Sequence, residues 1–180
     1  MSKAIRALQS EHEAILSSLT ILDAVCASIN SGATPPRHEL STLVAFVKKY
    51  VDRLHHGKEE QFLFPALLAS GVPEPASPVA ALLSEHLLGR DLLREMDLAT
   101  RSGPDYLTFE HAARGYLSLL RNHVQKENGV LFPMAETSLD KERLQQLNDS
   151  LEDYEHRTLG PAKDEELNQR VNDLQRKYLR

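Results

Sequence analysis

The sequence predicts an all-α protein built as an up-down-up-down four-helix bundle with a C-terminal helical extension, and two observations carry that prediction. Apolar residues recur at steps of three and four through four stretches of about 25 residues, and no stretch alternates as a strand would. The chain also carries one motif twice. Glu11-His12 is followed by His55-His56-Gly57-Lys58-Glu59 and Leu63-Phe64-Pro65, and Glu85-His86 by His123-Val124-Gln125-Lys126-Glu127 and Leu131-Phe132-Pro133. The halves match across a shift of about 70 residues, which implies a duplicated helical hairpin with pseudo-two-fold symmetry.

The first helix carries Ile5, Leu8, His12, Ile15, Leu19, Leu22, Cys26 and Ile29 in phase and stops at Asn30-Ser31-Gly32, with Pro35-Pro36 beyond. The second begins near Pro36-Arg37 and shows Leu40, Val44, Val47, Val51, His55, Glu59 and Phe62. Pro65 should kink or end it before the breaker run Gly71-Val72-Pro73-Glu74-Pro75. The third starts near Ser77-Pro78 and runs Val79, Leu82, Leu83, His86, Leu93 and Met96, breaking at Ser102-Gly103-Pro104. The fourth runs Ala113, Tyr116, Leu120, His123, Glu127, Val130 and Met134. Leu144, Leu147, Leu151 and Tyr154 form a further helix, and after Gly160-Pro161 comes a shorter one with Leu167, Val171 and Leu174. The bundle is expected over 1–136 and the extension, packed on it, over 137–180.

Composition narrows the function classes. A chain of 180 residues is expected to form one domain that buries roughly 70% of its unfolded surface. A net charge of −5 and the absence of Trp argue against nucleic acid as a partner. A patterned, charged N-terminus predicts neither signal peptide nor membrane span. The single Cys26 is read as a reduced core residue and fits a cytoplasmic location.

The histidines carry the chemistry. Residues four apart lie one above the other on a helix, so each half offers a lone His on one helix and a His/Glu pair on another. Two facing halves supply four imidazoles and two carboxylates, a set suited to two transition-metal ions. His12 and His86 each interrupt an apolar series, and His123 and Glu127 take successive core positions. Burying such groups costs on the order of several kcal/mol unless partners satisfy them. At about 100° per residue, His55 lies on the stripe of Val44 and Val51, whereas His56 lies near Lys49, Asp52, Arg53 and Glu60. The repeat also aligns His123 with His55. His55 and Glu59 are therefore the expected ligands, with His56 and Glu60 as a polar flank in reach of an outer role. His38, His111 and His156 are expected to be solvated, and Lys58 and Lys126 to be surface or mouth charges, with an outer contact to a carboxylate as the alternative.

This pattern resembles the hemerythrin-like family, also called HHE cation-binding domains, over roughly residues 3–136. The resemblance implies two Fe ions in an oxo- or hydroxo-bridged di-iron centre, with His12, His55, His86 and His123 as terminal ligands and Glu59 and Glu127 as bridges. The same donors would accept Mn or Zn. Oxygen-carrying members have a further histidine where this chain has Arg90, so each iron would have four protein ligands, a solvent bridge and about one open position. Repair-of-iron-centres proteins resemble the bundle but carry an N-terminal domain with paired cysteines; with the bundle expected from about residue 3 and Cys26 as its single cysteine, that specialised role is not expected, and the Glu-x-x-His pairs of ferritin-like enzymes do not occur in this sequence.

The leading expectation is a di-iron protein that binds or senses O2, NO or peroxide. The alternative is a di-iron peroxidase or NO-decomposing oxidoreductase, needing an electron-transfer partner and a proton donor such as Tyr50, Tyr116 or His56. A third reading is a metal-free helical interaction protein.

Overall fold

The computed structural model describes residues 1–72, 78–101, 103–160 and 165–179; Ser77, Ser102 and Pro161, expected at helix boundaries, lie outside them. The described residues form six helices and no strand. Helix α1 is Lys3–Asn30, α2 spans 37–69, α3 is Val79–Arg101, α4 spans 106–138, α5 is Lys141–Leu159 and α6 is Glu165–Tyr178. Each of the first four packs against its neighbours in sequence, and α4 closes the ring on α1. That is the expected antiparallel bundle.

Local chemistry sets the helix ends. Ser2, Asp105 and Asp140 are N-caps whose side-chain oxygens accept from the amides of Ile5, Thr108 and Arg143. Gly32 and Gly160 take φ of 87° and 68° just past α1 and α5, where a side chain would be strained. Pro65 does not end its helix, which continues to Ala69. By length and composition α1 could cross a membrane, but here it supplies Ile5, Leu8, Ile15, Leu19 and Leu22 to the core.

The core is split in two. One apolar cluster gathers Ile15, Leu19, Leu43, Val51, Leu93, Phe109 and Leu120; the other gathers Ile5, Leu8, Leu63, Phe64, Leu82, Leu131 and Phe132. The histidines and glutamates of the repeat occupy the layer between.

The two C-terminal helices lie across α1 and α2. Leu147 and Leu151 of α5 join one apolar cluster, and Val171 and Leu174 of α6 join the other. Helix α5 comes close because residue 57 is glycine: a Cβ there would stand 2.3 Å from Tyr154 Oη. That hydroxyl donates to the Arg53 carbonyl at 2.8 Å. Helix α6 is tied down at Glu39, which accepts from Lys177 at 2.6 and 2.8 Å and from Tyr178 at 2.6 Å. Burial alone would raise the Glu39 pKa, but these bonds outweigh it and hold the carboxyl below its ordinary value.

Two outcomes follow for the extension. Gly57→Ala should lower stability by about 1–3 kcal/mol through overpacking, against a helix-propensity gain of at most about 1 kcal/mol, and Tyr154→Ala in the same chain should relieve most of the loss in thermal melts. Because the folded pKa of Glu39 is depressed, its contribution is present above the ordinary value of about 4.3 and lost as pH falls through the lower folded value. Hydrogen exchange should therefore show residues 165–178 loosening on acidification, and in Glu39→Gln at neutral pH. Unchanged exchange in that variant would overturn the role given to Glu39.

Candidate metal centre

The helices that carry the His/Glu pairs are underwound at the site. From Val47 one series of buried residues on α2 recurs at every fourth position, through Val51, His55, Glu59, Leu63 and Leu67, with Leu54, His56, Lys58 and Phe64 buried beside it. An α-helix turns in 3.6 residues and would drift off that face. The chain adopts π turns at Val47–His56 and Glu59–Leu63, and again in α4 at Glu127–Leu131. The wider turns shift the inward face by one residue. Leu131 is buried where Val130 is 51% exposed, and Leu63 is buried where Phe62 is only partly so. Val130 therefore lies off the core series, as a strict 3.6 period could not foresee.

All six expected residues meet in the layer between the apolar clusters, each at most 1% exposed. His12 Nε2 and His55 Nε2 stand 3.0 Å apart, and His86 Nε2 and His123 Nε2 stand 3.1 Å apart. The carboxylates span the two pairs. Glu59 sets one oxygen 3.5 Å from His55 Nε2 and the other 3.4 Å from His86 Nε2, and Glu127 lies 3.1 Å from both His12 and His123. Two donor groups result: His12, His55, Glu59 and Glu127, and His56, Glu59, His86 and His123, each with ligand atoms within 4.8 Å of one another.

The repeat extends to the residues that hold these rings. The Nδ1 of His55 meets Glu11 at 2.7 Å, and that of His123 meets Glu85 at 2.9 Å; both acids immediately precede a lone histidine. His86 Nδ1 meets Glu60 at 2.7 Å, and His12 Nδ1 meets Asn128 Oδ1 at 2.9 Å; both partners immediately follow a shared glutamate. With Nδ1–H donated outward, a neutral ring turns its Nε2 lone pair to the centre. Phe132 and Phe64 stack on His12 and His86 from below, with centroids 5.1 and 5.6 Å away, as Leu-Phe-Pro packing requires.

A pair of cations fits this arrangement. Facing lone pairs at 3.0 Å repel each other, yet two imidazoles at right angles on one ion, each at roughly 2.1 Å, stand about 3 Å apart. Among the described residues, both Glu59 oxygens and Glu127 Oε1 are buried without hydrogen-bond partners. Burial and the facing Glu127 push the Glu59 carboxyl well above its ordinary pKa. Burial opposes it, but the facing rings of His12 and His123 hold Glu127 well below its ordinary value. Two carboxylates in one dry site cannot both carry charge unless cations compensate. Burial keeps His55 below its ordinary value and takes His86 down to about 4, so both stay neutral and fit to bind a metal, while Glu127 and Glu85 raise His123 against its burial.

Two expectations change. His56 is not on a polar flank: it is 2% exposed and its ring stacks on His86 with centroids 3.9 Å apart. The π turn carries it inward, and α3 covers it. Lys58 is not a surface charge; it is 1% exposed and donates to Glu11 and, at 2.7 Å, to Glu155 of α5. Its counterpart Lys126, beyond the reach of α5, is half exposed and donates to Glu85. Glu60 does take an outer role, accepting from His86 and at 2.6 Å from Arg90. His38, His111 and His156 are exposed as expected. Cys26 is fully buried, and burial pushes its thiol up to about 12.

If Glu11 orients His55, Glu11→Gln should weaken metal uptake by roughly 10–100-fold, while Glu13→Gln on the exposed face should leave it unchanged; metal titration of the purified variants measures both.

Known proteins bear directly on this geometry. Residues 3–135 match the hemerythrin HHE cation binding domain. The uncharacterized proteins Rv1995 of Mycobacterium tuberculosis and Mb2018 of Mycobacterium bovis each share 23% identity over 174 residues, covering 94% of this chain and 68% of theirs. No solved structure matches the chain significantly. A family match over most of the chain, together with two buried His/Glu groups that suggest a binuclear site, leads to one conclusion: the chain belongs to the hemerythrin HHE cation-binding family.

Proposed function

We propose that this protein holds two iron ions between its paired histidines and uses them to bind or sense a small ligand, O2, NO or peroxide, in the cytoplasm. One observation carries the reading: four bare imidazole nitrogens converge in two pairs, and each of two buried carboxylates reaches both pairs. His12 and His55 would hold one ion, His86 and His123 the other, with Glu59 and Glu127 shared. Iron there would supply a redox-active Lewis acid with an exchangeable position. Mn and Zn satisfy the same donors; iron is preferred because the family's di-iron chemistry gives diatomic binding a purpose.

The protein's own contribution is rigidity and exclusion of water. Outward Nδ1–H bonds fix the rings of His12, His55, His86 and His123, and apolar clusters above and below seal the layer. His55 and His86, kept neutral by burial, hold their lone pairs for the ions rather than for protons.

An enzymatic reading, a peroxidase or NO-decomposing oxidoreductase served by an electron-transfer partner, draws support from Tyr116. Its hydroxyl is buried without a partner among the described residues, and burial pushes its pKa up, so it stays protonated and able to donate.

Protein purified from iron-replete cells should contain two irons per chain by elemental analysis, with optical bands that shift on exposure to NO or peroxide. Iron-free protein would sink the reading. Sustained turnover of peroxide or NO, lowered in Tyr116→Phe with iron content intact, would favour the enzyme; stoichiometric binding alone would favour the sensor.

A further inference from the structure

The two donor groups are not equivalent, and the difference lies in His56. The group around His12 and His55 has two imidazoles. The group around His86 and His123 has a third ring within ligand distance, because His56 shares the 4.8 Å cluster with Glu59, His86 and His123. Its burial is otherwise unexplained. Neither ring nitrogen has a hydrogen-bond partner among the described residues, which makes it the one histidine at the site with both nitrogens orphaned. An imidazole sealed from water with two unmet polar atoms costs on the order of a few kcal/mol.

The surroundings define which nitrogen is available. Asp52, one turn earlier on α2, places Oδ1 3.9 Å from His56 Nδ1. Arg90 pins that carboxylate at 2.6 Å through Nε, and its other arm reaches Glu60, the acid that holds His86. Arg90 thus turns away from the centre, to the shallow groove that Asp52, Glu60, Gly57 and Tyr154 help line. The inner place on the α3 side is filled by His56, stacked on His86 and edge-on to His123 at 5.4 Å.

We infer that His56 Nε2 is a metal ligand, the third imidazole on the ion held by His86 and His123, and that Asp52, clamped by Arg90, is the positioning residue that orients it. The inference rests on the two-metal reading above. It makes the ions chemically distinct: one bound by three imidazoles, the other by two, with both carboxylates shared. Coordination is then more nearly filled on the three-imidazole side, so the exchangeable position belongs to the ion of His12 and His55.

The test compares full-length wild type with His56→Phe, which keeps an aromatic ring against His86 but cannot ligate, and with His56→Ala, whose cavity admits free imidazole. Anaerobic Fe(II) titration and Mössbauer spectra of the loaded proteins are the readouts, with melting of the metal-free forms to verify folding. Wild type should show two doublets of equal area. His56→Phe should melt no lower than wild type without metal, yet bind one iron at least tenfold more weakly, at or beyond the roughly 10–100-fold lost with an outer partner, and lose one doublet. Added imidazole should restore the second site in His56→Ala, and Asp52→Asn should alter that same doublet alone. Two tightly bound irons with unchanged doublets in His56→Phe would overturn the assignment of His56 and leave the two-metal reading standing. Wild type that takes up fewer than two ions would overturn both.

Discussion

The structure depends on one costly layer. Five histidines and two glutamates lie across the middle of a four-helix bundle, between two apolar clusters that pack well without them. Apolar residues at the same positions would join the clusters into one continuous core. The polar layer instead leaves lone pairs facing each other and carboxylate oxygens without partners. A soluble bundle gains nothing from that unless something cationic enters. Much of the surrounding architecture, from π turns to outer carboxylates, holds these groups in register for such an entry.

The π turns show how register is achieved. Buried positions spaced four apart demand more residues per turn than an α-helix has. The chain widens its helices where the pairs sit and returns to α geometry at Phe64 and Phe132, just before each proline. Pro65 and Pro133 lack the amide that would continue the ladder, so an interrupted pattern one turn earlier suits them. The Leu-Phe-Pro repeat is thus where the underwound turn is closed off, and it delivers the phenylalanine that supports a ligand ring from below.

The duplication is nearly symmetric in its inner groups and broken in its outer ones. Glu11 and Glu85 play matching parts, as do Glu60 and Asn128, but α5 covers only the first half. Lys58 is sealed beneath it by Glu155, while Lys126 stays in contact with water. Gly57 is the concession that allows the approach, since Tyr154 occupies the space a side chain would need. A C-terminal segment without any motif therefore changes the surroundings of one half of the centre.

How much of this was legible in the chain can be judged residue by residue. Sequence by itself determined the bundle, its order and the meeting of His12, His55, His86, His123, Glu59 and Glu127, because periodicity records which face is buried and the repeat records which polar residues interrupt it. The sustained four-residue step was also on view, but reading it at a uniform 100° per residue sent His56 to the flank and put Val130 in line with the core. Only tertiary structure decided those positions, since the twist of a helix answers to what packs around it. It alone decided the fate of Lys58 as well: nothing local to that lysine says that a helix about a hundred residues later will cover it.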